Sequence, residues 1–324
     1  MIVIVGVAAT LGPAGLSIGD VYAAIAARFF PGHFNVSPLA DSVVWNLRLP
    51  RIFMGLLAGF GLGVAGAVMQ GVLRNPLASP FTLGISAAAG FGASLAIVLG
   101  VGIVAGKHLI IANAFVFSLL CTILMLALAS RTSGNPATMI LAGVALGFLF
   151  SAGTTLLQYF GDPYAVQAVV FWLIGDVGRT SWEKLSLVGI TLLVTAPLLF
   201  WKSWDLNAMS SGDETARSLG VNVTTARISM MVITSLITAT IVSFVGTIGF
   251  IGLVAPHIVR MAIGGDNRFV VPLSGMVGAL LLAGADIVAL QAMAPIVLPI
   301  GVITALMGVP LFLYFILRRK KEYL

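Results

Sequence analysis

The chain has 324 residues, of which 59% are hydrophobic and only 9% charged, with a formal net charge of +6. Soluble folds carry roughly 45–50% apolar and about 25% charged residues, so this composition excludes a soluble enzyme or nucleic-acid binder and specifies a polytopic membrane protein. Surplus Lys and Arg in such a chain record which loops face the cytoplasm, not an affinity for nucleic acid.

The first apolar stretch, 2–16, would cover only about 22 Å as a helix. It contains Pro13 and has no basic residue before Arg28, so it reads as an incomplete helix and not as a usual signal peptide. Nine further spans follow near 52–72, 82–105, 109–129, 138–160, 185–201, 228–248, 250–263, 270–290 and 296–317. The division near residue 249 is forced. From Ile228 to Val259 there is no charge, and the apolar run continues to about 263. One straight helix of that length would measure about 54 Å against a hydrocarbon core of about 30 Å. The break is expected at Gly246, Gly249 and Gly252, and Pro256, His257 and Arg260 are expected to end the short span that follows.

The basic cluster Arg318 to Lys321 should be cytoplasmic, and ten spans bring the N-terminus to the same side. Eleven basic residues then lie inside and six outside, which is the bias that membrane insertion requires. Trp45, Trp172 and Trp182 fall at outer ends, and Trp201 and Trp204 at an inner one, as interfacial anchors would. Small residues recur every four positions at Gly55, Gly59, Gly63, Ala67 and Gly71, and again at Gly84, Ala88, Gly92, Ala96 and Gly100. Such stripes let helix backbones approach closely, and they either pack helices or line a substrate path.

No catalytic constellation is present. The three histidines, His33, His108 and His257, are far apart with no HExxH spacing. The only Gly-Lys pair, Gly106-Lys107, lacks the upstream glycine and the following Ser or Thr of a nucleotide-binding loop. The single Cys121 sits in an apolar run and reads as a packing residue. Only Asp286 places an acid within a span, near its outer end. Ion-coupled carriers commonly keep ionisable groups at mid-membrane depth, so this pattern weakens that alternative. The largest inner polar segment runs from Lys202 to Arg227. Within it, Gly212-Asp213-Glu214-Thr215-Ala216-Arg217-Ser218-Leu219-Gly220 reads as a short helix with acids at its start and glycine at its stop. It is either a solvated connector or a docking helix for a cytoplasmic partner.

Seven ordered blocks carry a family resemblance. They are Arg48-Leu49-Pro50-Arg51, GAVMQGVLRNPLASPFTLGIS from Gly66, LAGVALG from Leu141, WLIGDVG from Trp172, the Gly212–Gly220 stretch, GTIGFIGLVAPHIVR from Gly246, and LPIGVITALMGVP from Leu298. Through them the chain resembles permease subunits of type II ABC importers, which move iron-siderophore complexes, haem or cobalamin. The resemblance implies an all-α, multi-pass permease domain over 1–324 in the cell inner membrane. It further implies a homodimer with ten helices per subunit, served by two cytoplasmic ATPase subunits and an extracytoplasmic substrate-binding protein. ATP and Mg would bind the ATPase, leaving no cofactor in this chain. It places Arg48 and Arg51 at binding-protein docking. Gly212, Asp213, Glu214, Ala216, Arg217, Leu219 and Gly220 fall in an ATPase-coupling segment within 203–227. Gln70, Asn75, Pro76 and Leu77 fall at the path or inner gate. Two departures stand out: Leu290 occupies a position where some relatives carry a third outer arginine, and Asn135-Pro136-Ala137-Thr138 replaces a gate Thr-Ser pair.

Overall fold

A computed structural model describes residues 2–11, 15–131 and 134–319, in which every regular element is helical. In chain order these are α1 (Ile2–Thr10), α2 (Ile18–Phe29), α3 (Pro38–Val43), α4 (Leu49–Leu73), α5 (Ile85–Leu99), α6 (Leu109–Ser130), α7 (Pro136–Phe160) and α8 (Pro163–Leu173). They continue as α9 (Trp182–Trp201), α10 (Ser203–Ser210), α11 (Asp213–Ser218), α12 (Val223–Val245), α13 (Ile251–Ile263), α14 (Asn267–Gln291) and α15 (Ile300–Arg319). A π-turn at Val44–Arg48 runs α3 into α4, giving one 36-residue rod, Pro38–Leu73.

Six of these helical runs are long and apolar enough to cross a membrane. They match six of the ten expected spans. The stretches 82–105, 250–263 and 296–317 form shorter apolar helices, and 2–16 contributes only α1. The chain also builds helices that hydropathy did not single out: α2 and α3 in the outer segment, and the apolar α8. Their starts are written in caps. Ser17 and Asp20 form a capping box on α2, and Asp162 accepts from the amides of Tyr164 and Ala165 with Pro163 in the first turn of α8. A helix start carries unsatisfied N–H groups that such side chains satisfy.

α4 is the central element, buried along most of its length between α14, α12, α13 and α9, whereas α6, α7 and α9 leave most of their surface exposed. Small residues explain the difference. A Cβ on Gly59 would run into the backbone of Gly278, and one on Gly63 into that of Ser274, so part of the stripe is the seam against α14. Gly55 meets nothing within 4 Å. The closest approach of α4 to α13 lies off the stripe, where Gly66 rests on the carbonyl of Gly252. In the second stripe, Gly84 packs on α7 and Gly92 on α6, while Gly100 at φ 65° ends α5 and meets nothing.

The long apolar run breaks where glycine permits it. α12 stops at Val245, Gly246 takes φ 75°, and α13 resumes at Ile251. Non-helical backbone at membrane depth survives only where protein satisfies its polar groups. Here Asp176 N donates to Val245 O at 2.7 Å, the Thr247 hydroxyl donates to Leu173 O, and Gly301 N donates to Ile174 O at 3.1 Å. Three expectations need correcting. Gly252 is inside α13, not in the break. Pro256, His257 and Arg260 do not end α13, which runs on to Ile263. A proline there removes the donor for the carbonyl four residues back, which is Gly252, and the Gln70 amide donates to that carbonyl at 3.4 Å. Trp172 is only 7% exposed and packs in the core, so it is not an interfacial anchor. Trp201 and Trp204 are exposed, with Lys202 and Arg268 over their rings. Cys121 is buried, its thiol facing Leu83 O.

Candidate coupling and docking sites

The segment after α9 folds as two short helices. α10 is held by Leu206, fully buried against Gly71 of α4, and by Asn207. The Asn207 amide donates to Asp266 at 2.7 Å, and its oxygen accepts from Asn267 N at 2.8 Å, joining α10 to the start of α14. Hydrogen bonds from Arg268 and Asn207 hold the Asp266 carboxyl well below the usual carboxylate range.

α11 has the start and stop that its sequence called for. Gly212 precedes it at φ 113°, and Asp213 and Glu214 sit in its first turn. It closes in a Schellman motif: Val221 N donates to Ala216 O and Gly220 N to Arg217 O, both at 2.9 Å, with Gly220 at φ 84°. Ala216 is buried beneath the helix, while Glu214, Arg217 and Gly220 are exposed and Leu219 is 68% exposed. Asp213 turns the other way. It pairs with Arg74 at 3.1 Å and with Arg227 at 2.9 Å, and Arg227 also donates to Gly134 O.

Arg74 caps the inner end of α4 in a left-handed conformation at φ 48°. Directly after it, Asn75 N donates to Gln70 O, and Asn75 Oδ1 accepts from Leu77 N at 2.9 Å in a turn through Pro76 that leaves Leu77 half exposed. The fold therefore sets the expected gate turn beside the expected coupling helix. Gln70 itself is 3% exposed, between α4 and α13, where it accepts from Arg260 and donates to the Gly252 and Leu253 carbonyls. His257 stands edge-on to Phe312. A surface cavity of about 450 Å³ beside the 246–250 break is lined by Phe81, Thr82, Ser86, Phe148, Ser151 and Thr247, among others.

At the outer end, Arg48 and Arg51 both turn inward. Arg48, 8% exposed, donates to Ala9 O at 2.6 Å. Arg51 makes a two-pronged pair with Asp286 of α14, with Nη2 to Oδ1 at 2.7 Å and Nε to both oxygens at 3.1 Å. Together with Leu290 they line a cavity of about 260 Å³. Sequence reasoning missed Arg74, Arg227, Asn207 and Asp286 as members of these sites. The signal available for Asp286 was its position as the only acid within a span; for the others there was none beyond their charge or polarity. Among the described residues no cluster of three or more His, Cys, Asp or Glu side chains could hold a metal.

A model of the FecCD transport family matches residues 1–318. The chain belongs to the FecCD transport family. Family relatives cover most of its length. An ABC transporter permease protein of Methanocaldococcus jannaschii is 46% identical over 86% of this chain and 83% of its own. The hemin transport system permease protein of Yersinia pestis is 36% identical over 86% and 84%. The vitamin B12 import system permease protein of Klebsiella pneumoniae is 39% identical over 90% and 86%. Among solved structures, an ABC transporter of metal-chelate type in an inward-facing conformation superposes with a TM-score of 0.85 at 29% identity, covering 98% of this chain and 96% of that one. This FecCD protein is thus a membrane permease of an ABC importer, a transport subunit and not itself a catalyst.

Proposed function

We propose that this permease works as a homodimer of ten-helix subunits in the cytoplasmic membrane, both termini inside, and imports an iron complex (a siderophore or haem) or cobalamin. A separate ATPase pair, which binds ATP and Mg, sits against α10 and α11. The observation that carries this reading is the double pairing of Asp213. A short helix with an exposed outer face is tied by one carboxylate to the inner ends of α4 and α12. Leu206 and Asn207 tie its neighbour α10 to α4 and α14. Movement of α11 by an ATPase therefore pulls on three spanning helices and on the Asn75–Leu77 turn, which is how a nucleotide-driven change selects between two packings of a dimer. The substrate path runs past the hydroxyl-bearing cavity beside the 246–250 break.

On the outer face, docking of a substrate-binding protein uses Arg48 and Arg51, with Asp286 as the resting partner of Arg51. Acidic groups on the docking lobes would be steered there by charge. An ion-coupled carrier has no observation in its favour: the one buried carboxylate among the described residues, Asp286, is already engaged by Arg51.

Affinity purification of the tagged chain from native membranes tests the reading. An ATPase should co-purify in equal stoichiometry and hydrolyse ATP. A chain that comes out alone under gentle extraction, and takes up substrate with an ion gradient only, would overturn it. Arg48→Gln, and Arg51→Gln combined with Asp286→Asn so that no buried charge is stranded, should weaken capture of the binding protein while leaving the ATPase bound; unchanged capture would remove the docking role.

A further inference from the structure

Where α6 ends at Ser130, α7 begins at Pro136 and α12 begins at Val223, the chain encloses a cavity of about 260 Å³. Three helices long and apolar enough to cross a membrane end or begin at this level, which would put the cavity at headgroup depth in a bilayer that they span. Its walls are of two kinds. Leu126, Met139 and Ile228 form an apolar side, with Ile228 42% exposed on the outer surface of α12. Facing them are Arg217 and Arg227, with Thr224 at the rim.

Arg227 is 3% exposed. Its Nη groups are spent on Asp213 and Gly134, and its Nε has no hydrogen-bond partner. A buried donor left unpaired is costly, and among the described residues no acceptor reaches this one. Among the described residues no acidic side chain lines the cavity, and the charged side chains that line it are Arg217 and Arg227.

We propose that this cavity binds the phosphate of an anionic phospholipid headgroup. Phosphate oxygens supply acceptors for the planar fork of the Arg217 guanidinium and for the unpaired Nε of Arg227. The apolar wall takes the glycerol and first acyl carbons, which a free phosphate ion would leave facing water. Because Arg227 also holds Asp213, the lipid would brace the inner clamp of α4 and α12. The proposal needs only that α6, α7 and α12 cross a bilayer; it shares Arg217 with the proposed coupling segment, so its test uses the chain without an ATPase.

The test is native mass spectrometry of the purified full chain titrated with phosphatidylglycerol, phosphatidylcholine or inorganic phosphate. One phosphatidylglycerol per chain should be retained about tenfold more strongly than phosphatidylcholine, and inorganic phosphate at equal concentration should not displace it. Thr224→Glu and Arg217→Gln, both at exposed positions, should each remove most of that preference, and Arg217→Lys should restore most of it. Equal retention of the two lipids would overturn the proposal, as would a preference untouched by either variant. Displacement by inorganic phosphate would overturn the lipid assignment. Should Thr224→Glu fail to fold, the Gln and Lys variants at Arg217 decide alone.

Discussion

The two ends of α4 are each tied to a distant part of the chain by an arginine–aspartate pair, and the pairs are built differently. At the outer end, Arg51 and Asp286 are 16% and 5% exposed at their side chains and meet through a two-pronged contact. At the inner end, Arg74 and Asp213 are 38% and 25% exposed, and Asp213 divides itself between Arg74 and Arg227. A buried pair is expensive to break because the surviving charge is stranded. A half-exposed pair contributes little, since water replaces the lost partner. The outer node thus pins α4 to α14, while at the inner one the half-exposed Arg74–Asp213 pair can be pulled apart and remade and the buried Arg227 keeps Asp213 on α12.

The largest effect should come from Asp286→Ala, which leaves Arg51 buried without a counter-charge and should cost about 3–5 kcal/mol, read as a lower Tm in detergent. Replacing both residues by Leu should recover most of the loss. A single variant as stable as wild type would show that the outer node is not the rigid one. Arg74→Ala, which removes only the half-exposed partner of Asp213, should cost only about 1 kcal/mol in the same assay. Reconstituted with its ATPase, however, it should lower substrate uptake per ATP hydrolysed by about fivefold or more. Unaltered coupling would break the comparison at its inner end. Gly220→Ala should act on the same readout through local strain of about 1–2 kcal/mol at a left-handed position, and full uptake would remove α11 from the coupling path.

The smallest effect concerns pH. The Asp266 carboxyl is lowered by Arg268 and Asn207, so it stabilises the fold above its unfolded value of about 3.9, and that contribution is lost as pH falls through the lower folded value. The Tm difference between wild type and Asp266→Asn should therefore stay constant from neutral pH down to about pH 5 and shrink in stronger acid. A difference that already closes between pH 7 and pH 6 would mean that Asp266 does not meet Asn207 and Arg268 as a carboxylate.

What the sequence determined by itself was whatever depends on a residue and its near neighbours. The apolar runs placed six long helices, the excess length after Ile228 demanded a break, and Gly246 supplied a conformation at which α12 could end. The acids and glycines of 212–220 wrote a short helix with its stop. Hydropathy, capping and backbone freedom are local quantities, so they survive without a fold. Short helices such as α8 lacked the length that makes an apolar run legible, and α13 ran through Pro256 because a distant glutamine, Gln70, serves the carbonyl that the proline abandons. Charge pairing between helices was decided only by tertiary structure. Arg51 and Asp286 are 235 positions apart, and Asp213 finds its partners at the ends of two other helices. Nothing in either neighbourhood says which charge faces protein and which faces water, because that depends on what the folded chain lays beside it.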